Sequence, residues 1–247
     1  FQAEDGIRDS VASRGLGDVY KRQLISCGVK TFVYSSSAAT YGDPGLNKCK
    51  ESDVPKPISA YGGSKLMIEI LCKDYMTAYG LSSVGLRYFN AAGADPEAEV
   101  GELRDKETHI VPLAINAARQ GKTFKIFGDK YPTEDGTCVR DYVHVMDLAD
   151  AHIKALNYAS EQLTSEVFKL GSGAPASNKQ LLDAVQKHTG KMNIETWGNR
   201  PGDPAYLVAD IDKAKNILQW EPKQSSIDNV VATAVQWYNK THKKEIQ

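Results

Sequence analysis

Apolar and β-branched residues recur in short unbroken runs separated by stretches of helical period. The run VKTFVYSSS from Val29 ends in small hydroxyl residues, as a buried parallel strand ending at a site would. A Gly-, Pro- and Lys-rich segment from Gly42 to Ser59 follows, longer than a structural link requires and therefore a candidate active-site loop. From Tyr61 to Tyr79, the residues Leu66, Ile70, Leu71 and Tyr75 fall at helical spacing, and Gly80 stops the helix. SSVGLRYFN, Ser82 to Asn90, reads as a second strand. Strand, helix, strand in that order predicts a parallel sheet with right-handed crossovers.

Beyond Ala94 the pattern turns to Pro, acidic residues and Gly, marking a change into a second lobe. Helical period returns from His109 to Gln120, with a short strand at Phe124–Phe127 and a turn-rich loop from Asp129 to Thr137. RDYVHV, Arg140 to Val145, is strand-like and leads into a helix from Asp147 to Ala159. EVFKLGSG, Glu166 to Gly173, reads as a strand and a turn. Further helices are expected at Asn178–Thr189, Ile211–Leu218 and Ile227–Tyr238. The first stretch, Phe1 to Gln23, has no period of either kind before an abrupt change at Leu24; it reads as a non-native or disordered leader.

Composition narrows the class. A chain of 247 residues with a net charge of -1 offers no electrostatic reason to bind nucleic acid or an anionic membrane. Cys27, Cys49, Cys72 and Cys138 are widely spaced, without a Cys-x-x-Cys or Cys/His cluster, so neither a metal site nor a disulfide framework is expected, and a reducing cytoplasm fits best. No G-x-x-G-x-x-G or G-x-G-x-x-G occurs, although a doubly wound fold cradles its pyrophosphate on such a turn. Either the fold is different or the front of the protein is missing.

Candidate chemistry centres on SAYGGSK, Ser59 to Lys65. On a helix, Tyr61 and Lys65 lie one above the other, and a cation near a phenol favours the phenolate that a general base needs. Alone, the pair also suits an ordinary amphipathic helix surface. Ser37 changes that balance, because it closes the first strand, where ligands of parallel sheets bind. Together they form a hydroxyl, phenol and ammonium set: one group to hold a substrate oxygen, one to exchange its proton, one to tune the phenol.

Several longer stretches add to these. SSSAATYG (Ser35 to Gly42), AYGGSK, RYFNAAGA (Arg87 to Ala94), IFGDKYPTEDGTCVRDYVHVMDLADAH (Ile126 to His152) and RPGDPAYLVAD (Arg200 to Asp210) resemble the UDP-glucose 4-epimerase family of the extended short-chain dehydrogenase/reductase superfamily, from Leu24 to about Tyr238. The resemblance implies an α/β fold: a partial Rossmann-type doubly wound parallel sheet lacking its first strands, with a smaller α/β substrate lobe. Residues 24–94, rejoined by 140–172, would form the C-terminal half of an NAD-binding domain; 95–139 and 173–240 would form the UDP-sugar lobe, with 241–247 a tail.

It further implies that Tyr61 is the base, that Lys65 binds the nicotinamide ribose and lowers the Tyr61 pKa, and that Ser37 bonds the sugar O4, with Ser35 as a further contact of NAD. Asn90, Arg140 and Arg200 are assigned to the UDP diphosphate, Asp203 to the uridine ribose, and the strand edge around Phe127 to uracil. Structural readings stand beside these. Arg140 could pair with Asp141, Arg200 and Asp203 could set a loop, Asn90 could be a strand-end turn residue, and His109, where many relatives carry Asn near the diphosphate, could simply start a helix. Leu207 is expected at the sugar-pocket wall, where its modest size leaves UDP-N-acetylglucosamine as a second substrate. Without the glycine-rich turn the chain itself is expected to be inactive. A homodimer in the full-length parent, through the helix bearing Tyr61 and Lys65, is also implied.

Overall fold

The computed structural model describes residues 23–199 and 203–242. Its first layer is a parallel sheet in the order β1 (Thr31–Ser37), β2 (Ser82–Tyr88), β6 (Ser165–Leu170). Val33 stands beside Val84, and Leu86 beside Phe168. Two long helices pack on this sheet, α1 (Ala60–Tyr79) and α3 (Val145–Glu161). They cover opposite faces: successive strand residues point to opposite sides, Arg87 bonds Glu69 of α1, and Tyr88 bonds His152 of α3. The ends of α1 follow from its sequence. Ser59 accepts a hydrogen bond from the Gly62 amide (3.1 Å) as N-cap, and Gly80 closes the helix at a φ of 67°, a left-handed position that glycine adopts without penalty.

The strand expected from Ser82 to Asn90 is broken. β2 ends at Tyr88, the chain turns at the buried Phe89, and β3 (Asn90–Ala92) pairs in parallel with β5 (Val139–His144) in a different sheet. Small and apolar residues fill both halves, so periodicity alone does not mark the crossing. β5 also takes β7 (Pro175–Ser177) antiparallel and β9 (Tyr206–Leu207) parallel, while β4 (Phe124–Phe127) pairs in parallel with β8 (Ile194–Trp197). β7, β8 and β9 were not expected: they are short, and their partners rather than any apolar run define them.

Two cores result. The first gathers Val84, Leu86, Val143, Ala151, Ala155, Phe168 and Leu170 between sheet and helices. The second joins α2 (Ile110–Arg119), α4 (Asn178–Thr189) and α6 (Ile227–Thr241) through Ile115, Leu181, Val185 and Val231. One segment departs from the division read in the sequence, which placed 173–240 in the second lobe. α5 (Asp212–Leu218) packs on β6, and Ile211, Ala214, Leu218 and Trp220 belong to the first core.

Both lobes are tied at β5. His144 is buried, its Nε2 2.9 Å from Thr233 Oγ1 on α6, and its backbone N–H donates to Ser225 Oγ (2.8 Å). The loop from Gly42 to Ser59 is strapped to the first lobe. The Cys49 N–H donates to the Val208 carbonyl and the Asp210 N–H donates to the Cys49 carbonyl, each at 2.9 Å. The buried ammonium of Lys169 pairs with Glu51 (3.1 Å) and donates to the Cys49 carbonyl. Among the described residues, no helix is long and apolar enough to cross a membrane, and all four cysteines are free.

Candidate active site

The carboxyl end of β1 presents Ser35, Ser36 and Ser37 in succession. Ser37 Oγ accepts from the Ala39 amide (3.1 Å) and so caps the short 3-10 turn Ala38–Thr40, which leaves its own O–H free to donate elsewhere. Ser36 Oγ donates to Glu69 Oε1 (2.5 Å) on α1. Ser35 uses both its groups: its carbonyl accepts from Lys65 Nζ (3.0 Å), and its hydroxyl lies 3.0 Å from Tyr88 Oη. Lys65 Nζ stands 5.6 Å from the Tyr61 ring centroid, and Tyr61 is 58% exposed. The i, i+4 spacing therefore places both side chains at the same strand end.

Behind them lies a buried polar cluster that periodicity did not signal. Arg87 binds Glu69 with two donors, Nε (2.8 Å) and Nη2 (2.6 Å), while its Nη1 reaches Tyr41 Oη (2.5 Å). Burial alone would lower the Arg87 pKa; Glu69 and Tyr41 outweigh it and hold the guanidinium charged. A charged residue inside the apolar run SVGLRYF was the available signal, since such a residue is tolerated in a core only when paired.

Two cavities meet beside this strand end. One, of about 590 Å³, is lined by Ser37, Tyr61, Tyr88 and Phe89; the other, of about 570 Å³, by Phe127, Arg140 and Asp203. Asn90, His109 and Tyr142 line both. Arg140 is nearly buried and donates to Asp203 Oδ1 (2.6 Å) and to the Pro204 carbonyl (2.7 Å). It does not pair with Asp141, whose carboxylate instead accepts from Ser172, Gly173 and Ala209.

His109 is the N-cap of α2 without a side-chain cap bond; its Nδ1 is 2.6 Å from Glu102 Oε1. Glu102, Glu107 and His109 bring three ligand-type atoms within 4.8 Å of one another, but Arg104 and the amides of Thr108 and His109 already engage the two carboxylates. Tyr142, missed in the sequence, is buried with no hydrogen-bond partner for its hydroxyl, and burial pushes its phenol well above the ordinary range. An orphaned hydroxyl on the wall of two cavities is what a ligand contact would satisfy.

Leu207 lies on β9, opposite Arg140 in register, and packs against the first core. Arg200 lies outside the described residues.

The sequence pattern described as the NAD dependent epimerase/dehydratase family matches residues 17–171, more than half of the chain. The chain belongs to that family. Among members of the epimerase/dehydratase family it is similar to the UDP-glucose 4-epimerase of Lacticaseibacillus casei, 47% identical over 213 residues that cover 85% of this chain and 64% of that protein. The crystal structure of UDP-glucose 4-epimerase from Brucella ovis in complex with NAD superposes with a TM-score of 0.85 at 37% identity, covering 89% of this chain and 68% of that one. The UDP-Glc/GlcNAc 4-epimerase of Campylobacter jejuni gives a TM-score of 0.76 at 35% identity, with coverages of 91% and 69%. The chain thus spans about 64% of the length of the first curated relatives it matches.

Proposed function

We propose that this fold serves a UDP-glucose 4-epimerase, interconverting UDP-glucose and UDP-galactose in the cytoplasm. The observation that carries the reading is the pair of adjoining cavities: Tyr61 and Ser37 stand in one, Arg140, Asp203 and Phe127 in the other, and Asn90 and His109 at their junction. A ligand with a sugar at one end, a nucleoside at the other and an anionic link between them suits that layout. The uncapped amides of α2 and the Arg140 guanidinium favour negative charge near the junction.

The donors at the end of β1 fit the nicotinamide ribose side of NAD: Lys65, held on the Ser35 carbonyl, and the Tyr61 hydroxyl both face the strand end where parallel sheets bind their ligands. Bound there, the cofactor supplies hydride acceptance and return at sugar C4. Tyr61 takes the proton of the 4-hydroxyl and gives it back. Ser37, whose O–H is not used by the turn it caps, donates to the sugar oxygen and holds it against the phenol. Lys65 stabilises the phenolate through its positive charge. Arg140, with Asn90 and Arg200, holds the diphosphate, so that the sugar alone turns over between the two hydride transfers.

The sequence contains no glycine-rich dinucleotide turn, and we infer that these residues by themselves bind the UDP-sugar without turning it over. Dimer formation through α1 belongs to the same reading, on the strength of its exposed Met67 and Ile70. Separate calorimetric titrations of the chain with UDP and NAD are expected to show UDP binding alone. In the chain joined to an upstream glycine-rich βαβ unit, Tyr61→Phe should lower kcat for UDP-galactose by roughly 10²-fold or more with UDP affinity unchanged. Normal sugar inversion in that variant would overturn the reading.

A further inference from the structure

The face of β2 away from Arg87 carries a hydrogen-bond chain that the chemistry above leaves unused. Tyr88 Oη lies 2.6 Å from His152 Nε2 and 3.0 Å from Ser35 Oγ, and His152 Nδ1 is 2.7 Å from the Leu148 carbonyl oxygen one turn earlier on α3. The direction of each bond follows from its far end. A carbonyl only accepts, so Nδ1 of the neutral ring carries the proton and Nε2 is left as an acceptor. Tyr88 therefore donates to His152, and its oxygen is free to accept the Ser35 hydroxyl proton. Burial pushes the Tyr88 phenol up against the Ser35 hydrogen bond, and nearby Tyr61 adds to the rise, so Tyr88 keeps its proton.

Ser35 is where this chain meets the reactive end. It is exposed, it sits on β1, and β1 pairs with β2 alone among the described residues. Its carbonyl is the acceptor for Lys65 Nζ. The Ser35 side chain, bonded to Tyr88 on the neighbouring strand, ties down the residue that supplies this carbonyl.

We propose that His152 is a positioning residue: through Tyr88 and Ser35 it fixes the carbonyl that anchors Lys65 beside Tyr61. What Lys65 then does rests on the epimerase reading; the relay itself does not. Packing of the Tyr88 and His152 rings, with centroids 5.7 Å apart, is the competing explanation, and chemistry separates the two. His152→Gln puts an amide oxygen near the place of Nε2, where it can accept from Tyr88; His152→Asn reaches only as far as Nδ1; His152→Phe keeps the ring and no acceptor.

The test uses the full chain, with amide spectra to establish folding of each variant. Lys65 acetylation by acetic anhydride, read by peptide mass spectrometry, should rise about tenfold in the Phe and Asn variants, the loss expected for one oriented hydrogen bond, and stay within about twofold in the Gln variant. The nitrogen spectrum of ¹⁵N-histidine-labelled chain should show His152 as the neutral Nδ1–H ring, and Tyr88→Phe should move its Nε2 resonance while sparing Nδ1. An Nε2–H ring, or equal Lys65 reactivity in all three folded variants, would overturn the proposal. If the Phe and Asn variants fail to fold, the wild-type and Tyr88→Phe spectra decide. Failure to bind UDP would sink the epimerase reading and leave these readouts where they are.

Discussion

Three consecutive serines at the end of β1 answer to different partners: Ser35 to Tyr88 and Lys65, Ser36 to Glu69, Ser37 to the turn that follows. The pleat sends neighbours to opposite faces, so one strand end is gripped from above and below while its last hydroxyl stays available. Behind Ser36 stands the buried Arg87–Glu69 pair, with side-chain exposures of 5% and 8%. Removing one partner strands a buried charge. Arg87→Met is therefore expected to cost about 3–5 kcal/mol in urea unfolding, whereas the double replacement Glu69→Leu/Arg87→Met should cost clearly less than either single change. A double variant as unstable as the sum of the singles would mean the pair is not coupled.

At the scale of elements, α1 shows how a short motif becomes a site. Gly80 was legible as its stop and the loop was read as running to Ser59, which the structure shows to be the N-cap of the helix that carries Tyr61 and Lys65. Ser59→Ala should lower stability by about 1 kcal/mol and, because the lost cap frays the turn bearing Tyr61, should raise amide exchange there more than at Tyr75. Unchanged exchange across that first turn would show that packing holds it instead. β1, α1, β4 and α4 could be read because apolar runs or helical period mark them in the sequence itself. The strand crossing at Phe89 and the small strands β7 to β9 could not, since their pairing depends on residues distant in sequence. The same limit applies to the site. Tyr61, Lys65 and Ser37 announce themselves by spacing, whereas Tyr142, Glu69 and His152 gain meaning only from what the fold sets beside them. The position of Leu207 was carried over from a resemblance; its packing is decided by its register on β5.

For the molecule as a whole, β5 is the common member of both lobes, and His144 at its end is buried and neutral. Its Nδ1 accepts from the Met146 amide (3.1 Å), so Nε2 donates to Thr233. Gly93 passes so close to the imidazole that any side chain there would collide with it. Burial lowers the His144 pKa, against the opposing charge of Asp147. The unfolded chain then binds more protons than the folded one, so this contribution is complete above about pH 6.5 and is lost as pH falls through the window below it. Melting temperature should fall as pH is lowered from about 7.5 to 5.5, and His144→Asn should flatten that slope; an equal slope in the variant would place the sensitivity elsewhere.

The strapping of Cys49 between Val208 and Asp210 has a consequence in time. A ribosome releases the polypeptide from its amino end, so the segment around Cys49 emerges long before its mates do, and the first core waits for Trp220. Until then the first core stays open on that side, and nascent chains should recruit chaperones up to the moment those late residues clear the exit tunnel.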